Sequence, residues 1–116
     1  MARWSRSCNL RVERNGKQFG LVDGSQMAFS FPELIAYAAR TRDLVPGTII
    51  GSGTVSNREY AERGSACISE RRAIEMIAVG APQTEFLRYG ENVRMTGITL
   101  SGHRPFGDIL QQIVQA

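Results

Sequence analysis

Hydrophobic and polar positions alternate near the start of the chain, which is the pattern of a half-buried β-strand. Leu10 and Val12 are separated by polar residues, and a second short run returns over residues 18–22. Between the two runs stands Asn15-Gly16, a pair typical of the type I′ hairpin turn, because both central residues of that turn need φ > 0. The pattern therefore predicts a β-hairpin over residues 8–22.

The spacing of the apolar residues then changes to that of a helix. Ser30, followed three residues later by Glu33, fits a capping box, in which the serine side chain accepts from the N3 amide and the glutamate bonds back to the cap. Pro32 is tolerated in the first turn, since its missing N–H would have no helical partner anyway. The apolar stripe of this predicted helix consists of Leu34, Ile35, Ala38 and Ala39.

A second helix is predicted over residues 69–79. Ile74 and Ile77 are expected to face inward, and Gly80 stands where a left-handed residue commonly ends a helix.

The stretch from 46 to 57, PGTIIGSGTVSN, lies between the two predicted helices, and we expect the rest of the chain to be organised around it. Its β-branched run, residues 48–50, is too short for a helix and predicts a buried strand. The glycines Gly51 and Gly53 that follow allow φ > 0 or the close approach of another group. Thr54 then places a hydroxyl where a strand ends, which is a common position for a binding loop. A bulge or tight corner without a ligand is the alternative interpretation.

The whole pattern predicts one antiparallel-rich α+β domain of six or seven short strands and two helices, with further strands over 92–100 and 105–114. The last of these strands is apolar on both faces, so we expect both to be covered. One face carries Phe106, Leu110 and Val114, and the other carries Ile109 and Ile113.

Composition narrows the class of protein. The net charge is +3, and the fourteen basic residues are scattered among eleven acids, which argues against a nucleic-acid-binding surface. No apolar run approaches the roughly 20 residues of a membrane span, and the first residues lack the apolar stretch of a signal peptide. We therefore expect a cytoplasmic protein without a membrane partner, in which Cys8 and Cys67 are small buried residues rather than a disulfide.

Two side chains, His103 and Glu70, are candidates for a catalytic role. His103 lies in a predicted turn with no cysteine or acid at ligand spacing, which favours a solvated histidine over a catalytic one. Glu70 follows an extended segment and either points back towards Thr54 or is an exposed acid favoured by the dipole of the helix that begins there. The residues alone leave both interpretations of Glu70 open.

An ordered series of motifs resembles the C-terminal part of the fumarylacetoacetate hydrolase family and covers nearly the whole chain. The motifs occupy residues 27–37, 44–47, 51–55, 64–70, 86–93 and 106–109. The GSGTVSN loop followed by Cys-Ile-x-Glu is similar to a bacterial subgroup. The resemblance implies a β-rich roll of mixed sheets with two short helices, usually a homodimer. It also implies Mg²⁺- or Ca²⁺-dependent hydrolysis of carbon–carbon bonds in β-diketo acids, or decarboxylation or isomerisation of related keto acids.

The resemblance also assigns roles to three residues. Thr54 corresponds to a threonine that contacts a substrate carboxylate or keto oxygen, and Gly53 lets the substrate approach the backbone. Glu70 corresponds to a glutamate that orients a catalytic histidine. Small keto acids are therefore the ligands that the resemblance implies.

The departures from the family pattern concern the metal and the base. No Glu-x-Glu or Asp-x-Glu occurs in the chain, and neither Lys17 nor His103 matches the family's upstream lysine and histidine. We expect residues 1–116 to be a single domain equivalent to the C-terminal part, with the N-terminal metal-binding part absent. No metal ligand is assigned to this chain, which is expected to be inactive by itself and to need Mg²⁺ or Ca²⁺ only when a metal-bearing partner completes it.

Three explanations of these departures stay open. The chain is half of a split or oligomeric hydrolase, a truncated relic that folds without activity, or a small-molecule or protein-binding module derived from the family. The corresponding assemblies are a homodimer or a heterodimer with a chain that supplies the N-terminal half.

Overall fold

A four-stranded antiparallel sheet forms the centre of the protein. The computed structural model describes residues 8–116. The strands are β1 (Cys8–Arg14), β2 (Lys17–Asp23), β3 (Asn92–Thr99) and β4 (Asp108–Gln112), in the order β2-β1-β3-β4. With the helices described below, this confirms the predicted α+β class.

The predicted hairpin is confirmed together with its turn. Asn15 has φ 51° and Gly16 has φ 76°, as a type I′ turn requires. Asn15 also donates its N–H to the Asn92 carbonyl at 2.9 Å and accepts from the Asn92 N–H through Oδ1 at 2.8 Å. The same turn therefore connects β1 and β2 and fixes the start of β3.

The first predicted helix is α1 (Phe31–Ala38), and it begins as its sequence indicates. The Glu33 carboxylate accepts from both the backbone N–H and the hydroxyl of Ser30, each at 2.7 Å. Leu34 and Ala38 are half-buried, whereas Ile35 and Ala39 are exposed. Residues 8–116 therefore cover only part of the apolar stripe of α1.

The second predicted helix corresponds to α3 (Ile68–Val79), which follows a single helical turn, α2 (Tyr60–Arg63). Gly80 ends α3 with φ 81°, as predicted. Ile74 is half-buried, but the inward position predicted for Ile77 is wrong, since that side chain is 88% exposed. The helix packs through its first turns, where the Arg71 guanidinium lies 4.5 Å from the centre of the Phe19 ring, and its last turn is exposed.

The buried strand predicted at residues 48–50 is wrong. Residues 48–57 form neither helix nor strand, and Ile49 is 93% exposed. Thr48 bonds back to the Val45 carbonyl through its N–H (3.1 Å) and its hydroxyl (2.7 Å), so a local turn uses its polar groups. A β-branched run becomes a strand only where a neighbouring strand pairs with it, and this run has no such partner among the described residues.

The last strand is shorter than predicted. A turn at Gly107, with φ 69° and an N–H bonded to the Arg104 carbonyl, delays its start to Asp108. Every residue of β4 is exposed. The expectation that other groups cover both faces of this strand is therefore unmet within residues 8–116.

Two backbones cross in close contact at the other side of the sheet. Gly20 of β2 forms an isolated bridge with Gly64, just before α3. A Cβ at Gly20 would overlap the Ser65 carbonyl oxygen, and one at Gly64 would overlap the Phe19 carbonyl oxygen. Glycine is therefore required at both positions, and the crossing holds the segment before α3 against β2.

The sheet has one apolar and one charged face because side chains alternate along each strand. Val12 and Val22 are buried on the apolar face. The opposite face carries Arg94, which pairs with Asp108 at 3.6 Å. None of the helices in the described range is long and apolar enough to cross a membrane.

Candidate functional site

The loop of residues 51–56, called here the glycine loop, borders three clefts, two of which are also lined by residues on the apolar face of the sheet. The first cleft, of about 520 Å³, lies between the loop, the start of α1 and strands β1, β3 and β4. Its apolar walls include Leu10, Met27, Phe31 and Met95. Ser52 and Val55 of the glycine loop line this cleft and the two others.

The second and third clefts bring the predicted substrate-binding residues to the surface. The second, of about 470 Å³, is lined by Phe29, Leu34 and the whole glycine loop. The third, of about 300 Å³, includes Val22 in its walls. Gly53 and Thr54 line both clefts and are exposed. The structure thus places these two residues together, on a loop that borders open cavities.

Nothing within the described residues requires a glycine at position 53. A Cβ at Gly53 or at Gly51 would meet no atom within 4 Å. Neither residue has φ > 0, so the backbone conformation does not require glycine either. Of the two reasons predicted for these glycines, only the close approach of another group is still open.

Asn57 holds the end of the glycine loop against β2. Its side chain is buried, with 5% exposed, and its Oδ1 accepts from the Asp23 N–H at 2.8 Å. Its Nδ2 donates to the Asp23 carbonyl at 3.0 Å. The amide thus pairs with Asp23 as a neighbouring strand would, and it fixes where Thr54 lies without contacting the clefts.

Gln26 makes a second connection just beyond the loop. Its Oε1 accepts from the Arg58 N–H at 2.9 Å, and its Nε2 donates to the Glu59 carboxylate at 2.7 Å. The bond from Gln26 lowers the pKa of Glu59. Sequence reasoning missed both anchors, although Asn57 closes the GSGTVSN motif and its position was a usable signal.

Glu70 lies in the first turn of α3, apart from the glycine loop. Its Oε2 accepts from the Ser65 hydroxyl at 2.5 Å, and Ser65 is almost fully buried. The same serine oxygen accepts from the Cys67 N–H at 3.1 Å. Glu70 is not among the residues lining the three clefts that the loop borders. The observed position is that of an acid in the first turn of a helix, half-buried rather than exposed, and the geometry does not bring Glu70 to Thr54.

His103 and the two cysteines occupy the positions expected of non-catalytic residues. His103 is exposed in a turn, where its backbone N–H donates to Thr99 Oγ1 at 3.0 Å. Cys8 and Cys67 are free thiols, as predicted, although both are half-buried rather than buried.

The carboxylates of the described residues do not fit a divalent-cation site. Within residues 8–116, no three His, Cys, Asp or Glu side chains lie close enough together to hold a metal ion. Mg²⁺ and Ca²⁺ take about six oxygen ligands or more, several of them from carboxylates. Glu91, the carboxyl whose pKa is lowered most among the described residues, is bonded to other protein groups. It receives two hydrogen bonds from Arg14, at 2.9 and 2.7 Å.

The Glu91 cluster stabilises the hairpin turn. Glu91 also accepts from the Arg88 N–H at 2.7 Å and from Asn15 Nδ2 at 2.9 Å. The bonds from Arg14, followed by the one from Arg88, lower the pKa of Glu91 to about 2. This cluster joins the first hairpin to the start of β3. It lies at the Arg14 end of β1, whereas the glycine loop borders a cleft at the Cys8 end of that strand.

Comparison with known proteins agrees with the motifs. The family description "Fumarylacetoacetate (FAA) hydrolase C-terminal" matches residues 2–114, which is nearly the entire chain. No curated protein matches the chain. The motif series, the α+β fold and the family match point to one conclusion. The chain belongs to the fumarylacetoacetate hydrolase family and corresponds to its C-terminal part.

Proposed function

We propose that the glycine loop binds the carboxylate or keto oxygen of a small β-diketo acid. In this proposal the chain supplies the substrate-binding side of a hydrolase that cleaves a carbon–carbon bond. The observation that carries the proposal is the position of Thr54 and Gly53, which are exposed on the border of two clefts and held there by the buried Asn57.

The size and lining of the clefts support a small ligand. Volumes of about 470 and 300 Å³ lie near the range of roughly 300–1,000 Å³ that is typical of small-molecule sites. Phe29, Leu34 and Val22 provide apolar walls, against which the carbon chain of a keto acid can pack. The Thr54 hydroxyl can donate to one of its oxygens, and the missing Cβ of Gly53 leaves space for the ligand beside the backbone.

The rest of the chemistry is assigned to polypeptide outside these 116 residues, on this or another chain. That polypeptide would provide the ligands for Mg²⁺ or Ca²⁺ and a catalytic histidine. Glu70 would orient this histidine through Oε1, which makes no hydrogen bond within the described part of the chain, while Oε2 remains bonded to Ser65. The free thiols of Cys8 and Cys67 fit a reducing compartment such as the cytoplasm.

The proposal is tested by calorimetry with acetopyruvate and oxaloacetate. Thr54→Val keeps the shape of the side chain and removes its hydroxyl, so it should weaken binding by about 1–2 kcal/mol, or roughly 5- to 30-fold. Thr41→Val is the matched control, because Thr41 is exposed and lies outside the three clefts.

Two results would contradict the proposal. One is a folded wild-type chain that binds neither acid at millimolar concentration. The other is equal affinity in the Thr54→Val and Thr41→Val variants, which would leave the hydroxyl without a part in binding. Binding that depends on Thr54 but occurs without turnover, even when a metal-bearing partner is added, would favour a binding module over a hydrolase.

A further inference from the structure

The first and third clefts share part of their walls. The residues that line both cavities are Cys8, Leu10, Gly24, Ser52 and Val55. Gly53 and Thr54 line the third cleft but not the first. A molecule whose acid end lies at Thr54 can therefore extend past the shared residues into the first cleft.

The walls of the first cleft are mainly apolar. Those beyond the shared residues include Met27, Phe31, Met95, Phe106 and Ile109. Among residues 8–116, no Arg, Lys, His, Asp or Glu side chain lines this cleft. A carboxylate that entered it would lose water without gaining a charged partner, whereas an apolar group is stabilised by burial. The lining therefore favours an uncharged, apolar occupant.

Two of the hydroxyl groups in these walls already have acceptors within the chain. Ser30 Oγ donates to the Glu33 carboxylate at 2.7 Å, and Ser52 Oγ donates to the Gly53 carbonyl at 2.9 Å. Each hydroxyl has only one hydrogen atom to donate. Neither serine is therefore available to donate to a polar group of a ligand in the first cleft.

We propose that this chain selects β-diketo acids whose acyl group is apolar and uncharged. The keto-acid end lies at Thr54, and the acyl group lies in the first cleft. This inference rests on the proposed function, because it takes Thr54 as the position of the acid end. It goes further by naming the substrate class: acylpyruvates that end in an aromatic ring or an alkyl chain, rather than in a second carboxylate.

The size of the first cleft suits such an acyl group. Its volume of about 520 Å³ is well above the roughly 150 Å³ at which an apolar cavity accommodates benzene. Phe31 and Phe106 offer aromatic surface, against which a ring can pack. The unbranched side chains of Met27 and Met95 can adapt to rings and chains of different shape.

Calorimetry with three acylpyruvates tests the inference on the 116-residue chain. Acetopyruvate ends in a methyl group, benzoylpyruvate in a phenyl ring and fumarylpyruvate in a carboxylate. The wild type should bind benzoylpyruvate roughly 10- to 100-fold more tightly than acetopyruvate, because the ring buries more apolar area. Fumarylpyruvate should bind no more tightly than acetopyruvate, since its second carboxylate would lose water without gaining a partner.

Ile109→Lys places an ammonium group at the first cleft and should change this selectivity. The ratio of benzoylpyruvate affinity to fumarylpyruvate affinity should fall roughly 3- to 30-fold, through the lost apolar contact and the new charge pair. Leu110→Lys is the matched control. It changes the net charge equally at a similarly exposed position (61% against 56%), but Leu110 lies on the opposite face of β4 and does not line the cleft. Urea unfolding establishes that both variants are folded.

Two results would overturn the inference. One is equal affinity of the wild type for acetopyruvate and benzoylpyruvate, and the other is the same selectivity in the Ile109→Lys and Leu110→Lys variants. Thr54→Val separates these failures from a failure of the proposed function. If this substitution weakens acetopyruvate binding but the wild type shows no preference for the phenyl ring, only the present inference fails. Binding of all three acids that is independent of Thr54 would contradict the proposed function itself.

Discussion

Two pairs of glycines in this chain have opposite surroundings. Gly20 and Gly64 lie where two backbones cross, and a Cβ on either would overlap a carbonyl oxygen of the facing segment. Gly51 and Gly53 have only open space where a Cβ would be, and neither has φ > 0. Packing within the chain thus explains the first pair and not the second. We infer that the second pair reserves space for a group from outside the described residues.

The largest effect should come from adding one methyl group to the packed pair. Gly20→Ala forces the Cβ into the Ser65 carbonyl, so the backbones must separate, and we expect a loss of about 1–3 kcal/mol in the free energy of unfolding. Gly53→Ala is the same change in open space and should be neutral or stabilising by up to about 1 kcal/mol. Urea unfolding measures both. Equal losses of unfolding free energy in the two variants would contradict the claim that only the first pair of glycines is required by packing.

The next largest effect concerns the anchor of the glycine loop. Asn57→Ala leaves the N–H and carbonyl of Asp23 without their side-chain partner, which should cost about 1–3 kcal/mol of stability. It should also weaken keto-acid binding, because the loop is no longer held in place. Ser56→Ala, at the exposed neighbouring position, is the control for the stability measurement. If Asn57→Ala unfolded no more readily than Ser56→Ala, the anchor would have no energetic role.

A smaller effect is expected from the Glu91 cluster, far from the glycine loop. The pKa of Glu91 is lowered from 4.5 to about 2 in the folded chain, so its bonds to Arg14 stabilise the fold above pH 4.5. This stabilisation is lost as the pH falls from 4.5 towards 2. Glu91→Gln should therefore flatten the pH dependence of unfolding in that window, and keto-acid binding at neutral pH should not change.

Glu85→Gln is the control for that titration, because the Glu85 carboxylate pairs with Arg88 in a largely exposed position. Acid unfolding curves of the two variants and the wild type, followed by circular dichroism, provide the comparison. A Glu91→Gln variant with the wild-type pH dependence would contradict the assignment of the low pKa to a stabilising interaction.

Local signals allowed parts of the fold to be predicted. The Asn15-Gly16 turn, the Ser30–Glu33 cap and the Gly80 helix end each depend on residues close in sequence, and all three are confirmed. The strand at residues 48–50 was wrong because strand formation requires a distant partner, which propensity does not reveal. The exposure of Ile77 was missed for the same reason, since it depends on where α3 meets the sheet.

The candidate site was predictable only in part. The Gly-Ser-Gly-Thr spacing located Gly53 and Thr54 on a loop, and the structure adds the clefts that this loop borders. The motif could have drawn attention to Asn57, but the bonding partners of Asn57 and Gln26 could not be derived, because Asp23 and Glu59 lie about 30 residues away in sequence. Glu70 lies in the first turn of α3, as one of the two open interpretations held, but its bond to the buried Ser65 was not predicted, and its chemical role remains a prediction.

The most direct test of the account is keto-acid binding by Gly53→Val. A Cβ at this position would meet no atom of the described residues within 4 Å, and the three added carbons would occupy the space assigned to the ligand. Calorimetry with acetopyruvate should therefore show binding by the wild type and no detectable binding by Gly53→Val, while both unfold at the same urea concentration. Wild-type affinity in a folded Gly53→Val variant would contradict the claim that the glycine loop is the ligand site.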